Sequence, residues 1–160
     1  MALVEQLPAE TYLKERGVRI EVIPHTQVQS AVDEAGVMGL PAGCVLKVVI
    51  LRFDDDYAMA VLPASHRIDM SLVREIAPDQ DVRLATEGEI ESRFPDFDLG
   101  ALPPLPGLLG VRAYVDPTAF DHYEVAFADG RQTESIIASS RELFWGEDAL
   151  VEPIARSFEA

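Results

Sequence analysis

Lys47 is the residue whose surroundings ask most of it. It stands inside Val45-Leu46-Lys47-Val48-Val49-Ile50-Leu51, with aliphatic neighbours on both sides. Burying an ammonium costs several kcal/mol unless it is paired or gives up its proton. The chain carries 13 basic side chains, and only two of them, Lys14 and Lys47, are lysines. Two readings stand side by side: a functional cation held in an apolar strand, and a strand-end lysine whose ammonium reaches water along its own stem. The second feature is "DLGALPPLPG", residues 98–107. Gly100 lacks a Cβ and lets backbone come close, while Pro103 and Pro104 fix φ and stiffen the loop. His25 after Pro24, His66-Arg67, Asp116 before Pro117 and His122-Tyr123 each also fit a strand end or a turn. No Ser-His-Asp order, Cys-His pair, metal-ligand spacing or glycine-rich phosphate loop stands out. Such a set is poor for nucleophilic catalysis. It suits a carbonyl or phosphate held against backbone N–H groups while water attacks.

The elements that must position these groups are legible in outline. Pro8 opens a helix over residues 9–16, and Gly17 closes it. Residues 18–23 read as a strand. Val28, Ala31, Val32 and Ala35 recur at helical spacing, predicting a helix over residues 25–36. Two β-branched runs flank Asp54-Asp55-Asp56 and predict a hairpin over 45–63, its first strand central and covered on both faces. Asp69 caps a short helix over 69–76. Residues 82–86 form a strand, and Thr86 with Glu89 makes a capping box for the helix that runs to Phe94-Pro95. Residues 111–115 read as a strand, 124–127 and 133–138 as a second hairpin, and 149–158 as a C-terminal helix. With strands on both sides of residues 98–107, a boundary there leaves too little sheet beyond it for an independent core. The expectation is one mixed α+β domain over residues 1–160. A curved mixed sheet of about six to seven strands carries helices packed around it.

Composition limits the partners. Hydrophobic residues make up 48% and charged residues 26%, the balance of a globular domain. No apolar run approaches the ~20 residues of a membrane span, and residues 1–14 lack a secretory leader. Cys44 is alone and reads as a buried small hydrophobe, which fits a reducing cytoplasm. The net charge is −15, from 28 acidic and 13 basic side chains. Any nucleic-acid contact must therefore be small and local, and broad binding to DNA is excluded.

Taken in order, these pieces resemble the YbaK/prolyl-tRNA synthetase-associated domain family of aminoacyl-tRNA deacylases. The carriers are Pro24-His25, "SAVDEAG", "VLKVVIL", "AVLPASHRID", "VRLATEGEI", "GALPP", "VRAYVD" and "VAFADGR", which together span about residues 18–139. The resemblance implies a mixed α/β fold and hydrolysis of the ester of mischarged tRNA by a freestanding, cofactor-free, metal-free cytoplasmic protein. The partners it implies are the acceptor end of mischarged aminoacyl-tRNA and an aminoacyl-tRNA synthetase. It also implies water attack assisted by the substrate's own 2′-hydroxyl. Lys47 matches the family's strand lysine, and Gly100 with Pro104 match its Gly-x-x-x-Pro loop. Asp116 matches an acidic residue at that strand's end, so Lys47, Gly100 and Asp116 are the expected catalytic residues. His25, Pro63, Ala64, Ala101, Pro103 and Pro104 are the expected substrate-binding ones. Two positions depart from the pattern: Gly130 is followed by Arg131-Gln132-Thr133 where many members carry a histidine, and Val48-Val49 replaces Thr-Leu. The departures and the acidity motivate an alternative, a non-catalytic module that binds an aminoacyl-adenosine-like ligand or a synthetase.

Overall fold

A computed structural model describes residues 6–158. The reading of residues 1–14 as leaderless therefore falls in part on residues 1–5, outside the described residues. The β-rich hairpin organises the rest. β2 (Leu46–Phe53) pairs antiparallel with β3 (Asp56–Pro63) across Asp54-Asp55, with Asp54 at φ 35°. Aspartate tolerates that left-handed geometry better than most residues, which explains an acidic rather than apolar turn. β3 then pairs in parallel with β6 (Arg112–Val115), and β6 in parallel with β9 (Ala149–Val151). On the other edge β5 (Val82–Leu84) pairs with the Leu51–Phe53 end of β2. The five-stranded order is β5-β2-β3-β6-β9.

A second, antiparallel sheet runs β1-β8-β7, made of β1 (Ile20–Pro24), β7 (Glu124–Ala128) and β8 (Glu134–Ser139). A parallel bridge from Val45 to Ala126 links it to the start of β2. β4 (His66–Ile68) and β10 (Ala155–Ser157) form a two-stranded ribbon. The class is α+β as expected, with the strands divided among three sheets.

Strand alternation separates two apolar layers on β2 and β3. One face carries Leu46, Ile50, Met59 and Val61 and packs on Leu13, Leu105, Phe127, Ile136 and Leu143. The other carries Leu51, Phe53, Ala60 and Leu62 and packs on Val73, Tyr114 and Ile154. β2 is thus covered on both faces, as its composition predicts.

The helices are α1 (Ala9–Glu15), α2 (Ala31–Met38), α3 (Met70–Ile76), α4 (Glu87–Arg93), α5 (Pro106–Leu109) and α6 (Ser140–Phe144). The capping box of Thr86 with Glu89 is formed in both directions. Cys44, expected to be buried, is half-buried, and two helix expectations fail. The helix expected over residues 25–36 starts only at Ala31, because the His25 and Val28 N–H groups donate to Thr133 and Gln132 carbonyls beside β8. Ser30 is extended, and its hydroxyl accepts from Asp33 N–H, the usual N-cap bond. The helix then passes Gly36 and ends at Gly39, which is left-handed at φ 68°. The expected C-terminal helix over 149–158 is instead β9 and β10 with Pro153 between them, a residue that would remove a helical hydrogen bond. The helix in this part of the chain is α6, capped by Ser139.

Candidate functional site

β5 pairs with the Leu51–Phe53 end of β2 and β7 bridges Val45 at its start, so the edge at Val48 lies between these two pairings. Ala85 N–H donates to Ile50 O at that edge. Strand alternation then turns the Val48 N–H and C=O to the same side, beyond the reach of β5. A cavity of about 530 Å³ lies along this edge. Val48, Val49 and Ile50 form one wall, Leu84, Ala85, Glu87 and Ile90 a second, and Leu99, Gly100 and Leu102 a third. Gln29 and Gln132 complete it. Among the described residues on these walls, Glu87 is the one charged side chain.

Gly100 is required by two independent facts. Its φ is +77°, and a Cβ there would stand 2.6 Å from the Gln29 carbonyl oxygen. The loop that carries it is tied at both ends: Ala101 N–H donates to Asp98 O, and Asp98 N–H to Gly130 O. The Asp98 carboxylate accepts from Gln132 N–H, and the Gln132 amide donates to Leu99 O at 2.8 Å. Ala101, Pro103 and Pro104 are buried beneath the loop as its foundation, off the cavity wall, while Leu102 reaches it.

The remaining expected residues lie elsewhere. Lys47 adjoins Val48 in sequence, yet strand alternation gives its side chain to the opposite face. Its Nζ lies 5.3 Å from the centre of the Phe158 ring, and partial burial lowers its pKa. Asp116 is 4% exposed. Its Oδ1 accepts from the Ile154 and Ala155 N–H groups at 2.9 and 3.0 Å, and its Oδ2 from Thr118 N–H at 3.1 Å and the Thr118 hydroxyl. Pro63 and Ala64 are buried at the end of β3, where Ala64 N–H donates to Val45 O. His25 is half-buried, with Nδ1 2.7 Å from Thr26 O and Nε2 2.8 Å from the Ser135 hydroxyl.

Several residues at the site carried no sequence signal. Gln29 and Gln132 are unremarkable polar loop residues until the fold brings them to one rim. Glu34 is buried and accepts from the Ser135 hydroxyl, and burial pushes its pKa up to about 7. Arg52, Arg74 and Arg83 line a cleft together with Asp54 and Asp81. Arg83 precedes the Leu84-Ala85 wall of the cavity and is bonded to Glu89, and Arg52 lies over Tyr57. Eleven of the thirteen basic residues being arginine hid this grouping, because the three are far apart in sequence.

Residues 25–144 match the aminoacyl-tRNA editing domain family. No curated protein matches the chain. Among solved structures, a hypothetical protein superposes with a TM-score of 0.83 at 22% identity, over 92% of this chain and 98% of its own. A scaffold protein from computational epitope grafting does so at 0.81 and 18%, over 94% and 96%. A protein named as a candidate trans-editing enzyme for prolyl-tRNA synthetase gives 0.75 and 21%, over 91% and 92%. At these identities the likeness shows a shared fold. The family match spans most of the chain, including the β2 edge, the Gly100 loop and the Gln132 rim, and the chain belongs to the aminoacyl-tRNA editing domain family.

Proposed function

We propose that the protein is a freestanding cytoplasmic deacylase that clears mischarged aminoacyl-tRNA, and that the Gly100 cavity is where the ester is cut. The observation that carries this reading is the open edge of β2 facing a loop whose glycine is obligatory. An ester carbonyl placed there meets backbone N–H groups, with Val48 N–H as the proposed donor to the developing oxyanion. Water adds to the carbonyl carbon, the bond to the ribose oxygen breaks, and that oxygen leaves with a proton as free tRNA. The 2′-hydroxyl of the substrate orients the water, so no protein nucleophile is called for.

The cleft of Arg52, Arg74 and Arg83 supports the same reading. It shares β5 with the cavity and offers the few local phosphate contacts that a chain of charge −15 can make. Lys47 holds the terminal phosphate as a point charge in this scheme, which requires its ammonium to leave Phe158. Asp116, with both oxygens engaged, acts as a strut for the C-terminal segment. His25 and the buried Ala101, Pro103 and Pro104 support the cavity from behind. A prolyl-tRNA synthetase is the natural partner by analogy with the similar candidate trans-editing enzyme.

The test is hydrolysis of a panel of mischarged tRNAs by the wild type, Gly100→Ala and Lys47→Ala. Turnover by the wild type on at least one member, reduced on the order of 100-fold in Gly100→Ala, supports the assignment. A second reading, a non-catalytic module for an aminoacyl-adenosine-like ligand, is favoured by cavity walls that present no acid–base pair among the described residues and by Lys47 lying on Phe158. It predicts ligand-dependent thermal stabilisation with no turnover on any member of the panel.

A further inference from the structure

Behind the Gln29–Gln132 rim lies a hydrogen-bonded chain that the ester chemistry does not use. The His25 Nδ1 faces the Thr26 carbonyl at 2.7 Å, and a carbonyl only accepts, so Nδ1 carries a proton. Nε2 faces the Ser135 hydroxyl at 2.8 Å, and that hydroxyl faces the buried Glu34 carboxyl. Ser135 is fully buried and has one proton to give.

We propose that Glu34, Ser135 and His25 form a proton-sharing relay that seats the segment bearing Gln29 against Gly100 only within a bounded range of pH, which makes Glu34 and Ser135 positioning residues for the cavity. The argument is an inventory of protons. With one proton shared, two arrangements satisfy every group. Either Glu34 donates to Ser135 and Ser135 to a neutral His25, or imidazolium His25 donates to Ser135 and Ser135 to the Glu34 carboxylate. Adding a proton strands a hydrogen: either Ser135 accepts from both sides with its own hydrogen unplaced, or it donates to the Glu34 carbonyl oxygen and the Glu34 O–H loses its acceptor. Removing one leaves the buried Glu34 carboxylate and the half-buried His25 Nε2 competing for a single hydroxyl. Each failure strands a buried polar group, a costly state. The relay therefore breaks on both sides of its range, and the two midpoints belong to the pair.

The relay reaches the cavity through short, direct links. The His25 and Val28 N–H groups donate to Thr133 and Gln132 carbonyls, and the Gln27 amide donates to the Gln132 side chain at 2.6 Å. Gln29 then presents its carbonyl to Gly100. The charged group facing Glu34 from outside the relay is Asp129 of the β7–β8 turn, which lies against Glu134 and Arg131; Asp33, beside Glu34 on α2, is exposed. Burial pushes Asp129 up to about 6, and where it is ionised its charge favours protonated Glu34 and so acts on the alkaline side of the range.

The proposal rests on the reading of the Gly100 cavity as the ester site, and its test uses no substrate. A pH series on the full chain follows the imidazole nitrogen shifts of His25 and the exchange of the Val28 amide, corrected for intrinsic rate. The expected wild-type result is a proton on Nδ1 of His25. Val28 exchange is slowest in a bounded range and about tenfold faster on either side. Glu34→Gln loses the alkaline arm, because its amide keeps donating to Ser135, and retains the acid arm. Ser135→Ala loses both arms, because the hydroxyl that joins Glu34 to His25 is gone. A wild-type Nδ1 without its proton, or a flat Val28 profile, overturns the proposal without any variant. A Val28 profile that keeps both arms in Ser135→Ala overturns it also. A relay that behaves as stated in a protein that deacylates no tRNA keeps the relay and removes the function; the reverse pattern keeps the function and removes the relay.

Discussion

Gly100 and Glu34 show what single residues do here. A Cβ at Gly100 would press to 2.6 Å on the Gln29 backbone, and the positive φ adds strain of its own. Gly100→Ala should therefore lower stability by roughly 1–3 kcal/mol in urea melts and displace the wall that faces Val48. Glu34 acts through pH. The folded protein holds its proton more tightly than the unfolded chain, with the pKa raised to about 7 by burial. Its contribution is fully present below about pH 4.3 and lost as pH rises through 7, a change of about 4 kcal/mol. Urea midpoints of Glu34→Gln should be flatter than wild type across that interval; an equal slope in both would assign the effect to another group. The two residues differed in legibility. Gly100 stood out because a glycine begins an apolar, proline-rich run. Glu34 sits in Asp33-Glu34 and looks like solvated charge. Only the helix phase set by the Ser30 cap turns Asp33 outward and Glu34 inward.

At the scale of elements, the C-terminal segment depends on one side chain. Asp116 receives two backbone N–H groups from Ile154 and Ala155, and Arg156 is paired with Asp69 at the cap of α3. Asp116→Ala leaves those two N–H groups and the Thr118 turn without their acceptor. We expect a loss of about 2–4 kcal/mol and early proteolytic cleavage between β9 and β10. Wild-type stability and protease resistance in the variant would contradict the strut. The β2–β3 hairpin, the capped helices α3 and α4 and the β7–β8 hairpin were readable because each has a strong periodicity with a turn or cap residue at its end. β9 and β10 were not. Three-residue strands show too little alternation to compete with a helical pattern, and their pairing with β6 and β4 is set by tertiary contact. Lys47 illustrates the same limit: its strand was legible, but the face it occupies follows from the pairing register with Leu62.

For the whole molecule, residues 98–107 join no separate halves. β6 on the far side pairs with β3 on the near side, and β8 pairs with β1. Charge is the other global property. With −15 overall and phosphate contacts limited to the cleft of Arg52, Arg74 and Arg83 in this account, binding to tRNA should be weak, with a slope of log K against log salt of about −2 to −3. Arg74→Gln should reduce that slope by about one contact, measured by filter binding over a salt series. A slope near zero would remove the cleft from the account. The central claim is that the β2 edge and the Gly100 loop together cut the ester of a mischarged tRNA. Its most direct measurement is the rate of release of amino acid from a mischarged-tRNA panel by wild type and Gly100→Ala under matched folding conditions. The account predicts turnover of at least one substrate by the wild type and a loss on the order of 100-fold in the folded variant. Wild-type inertness across the panel, or an undiminished rate in Gly100→Ala, would contradict it.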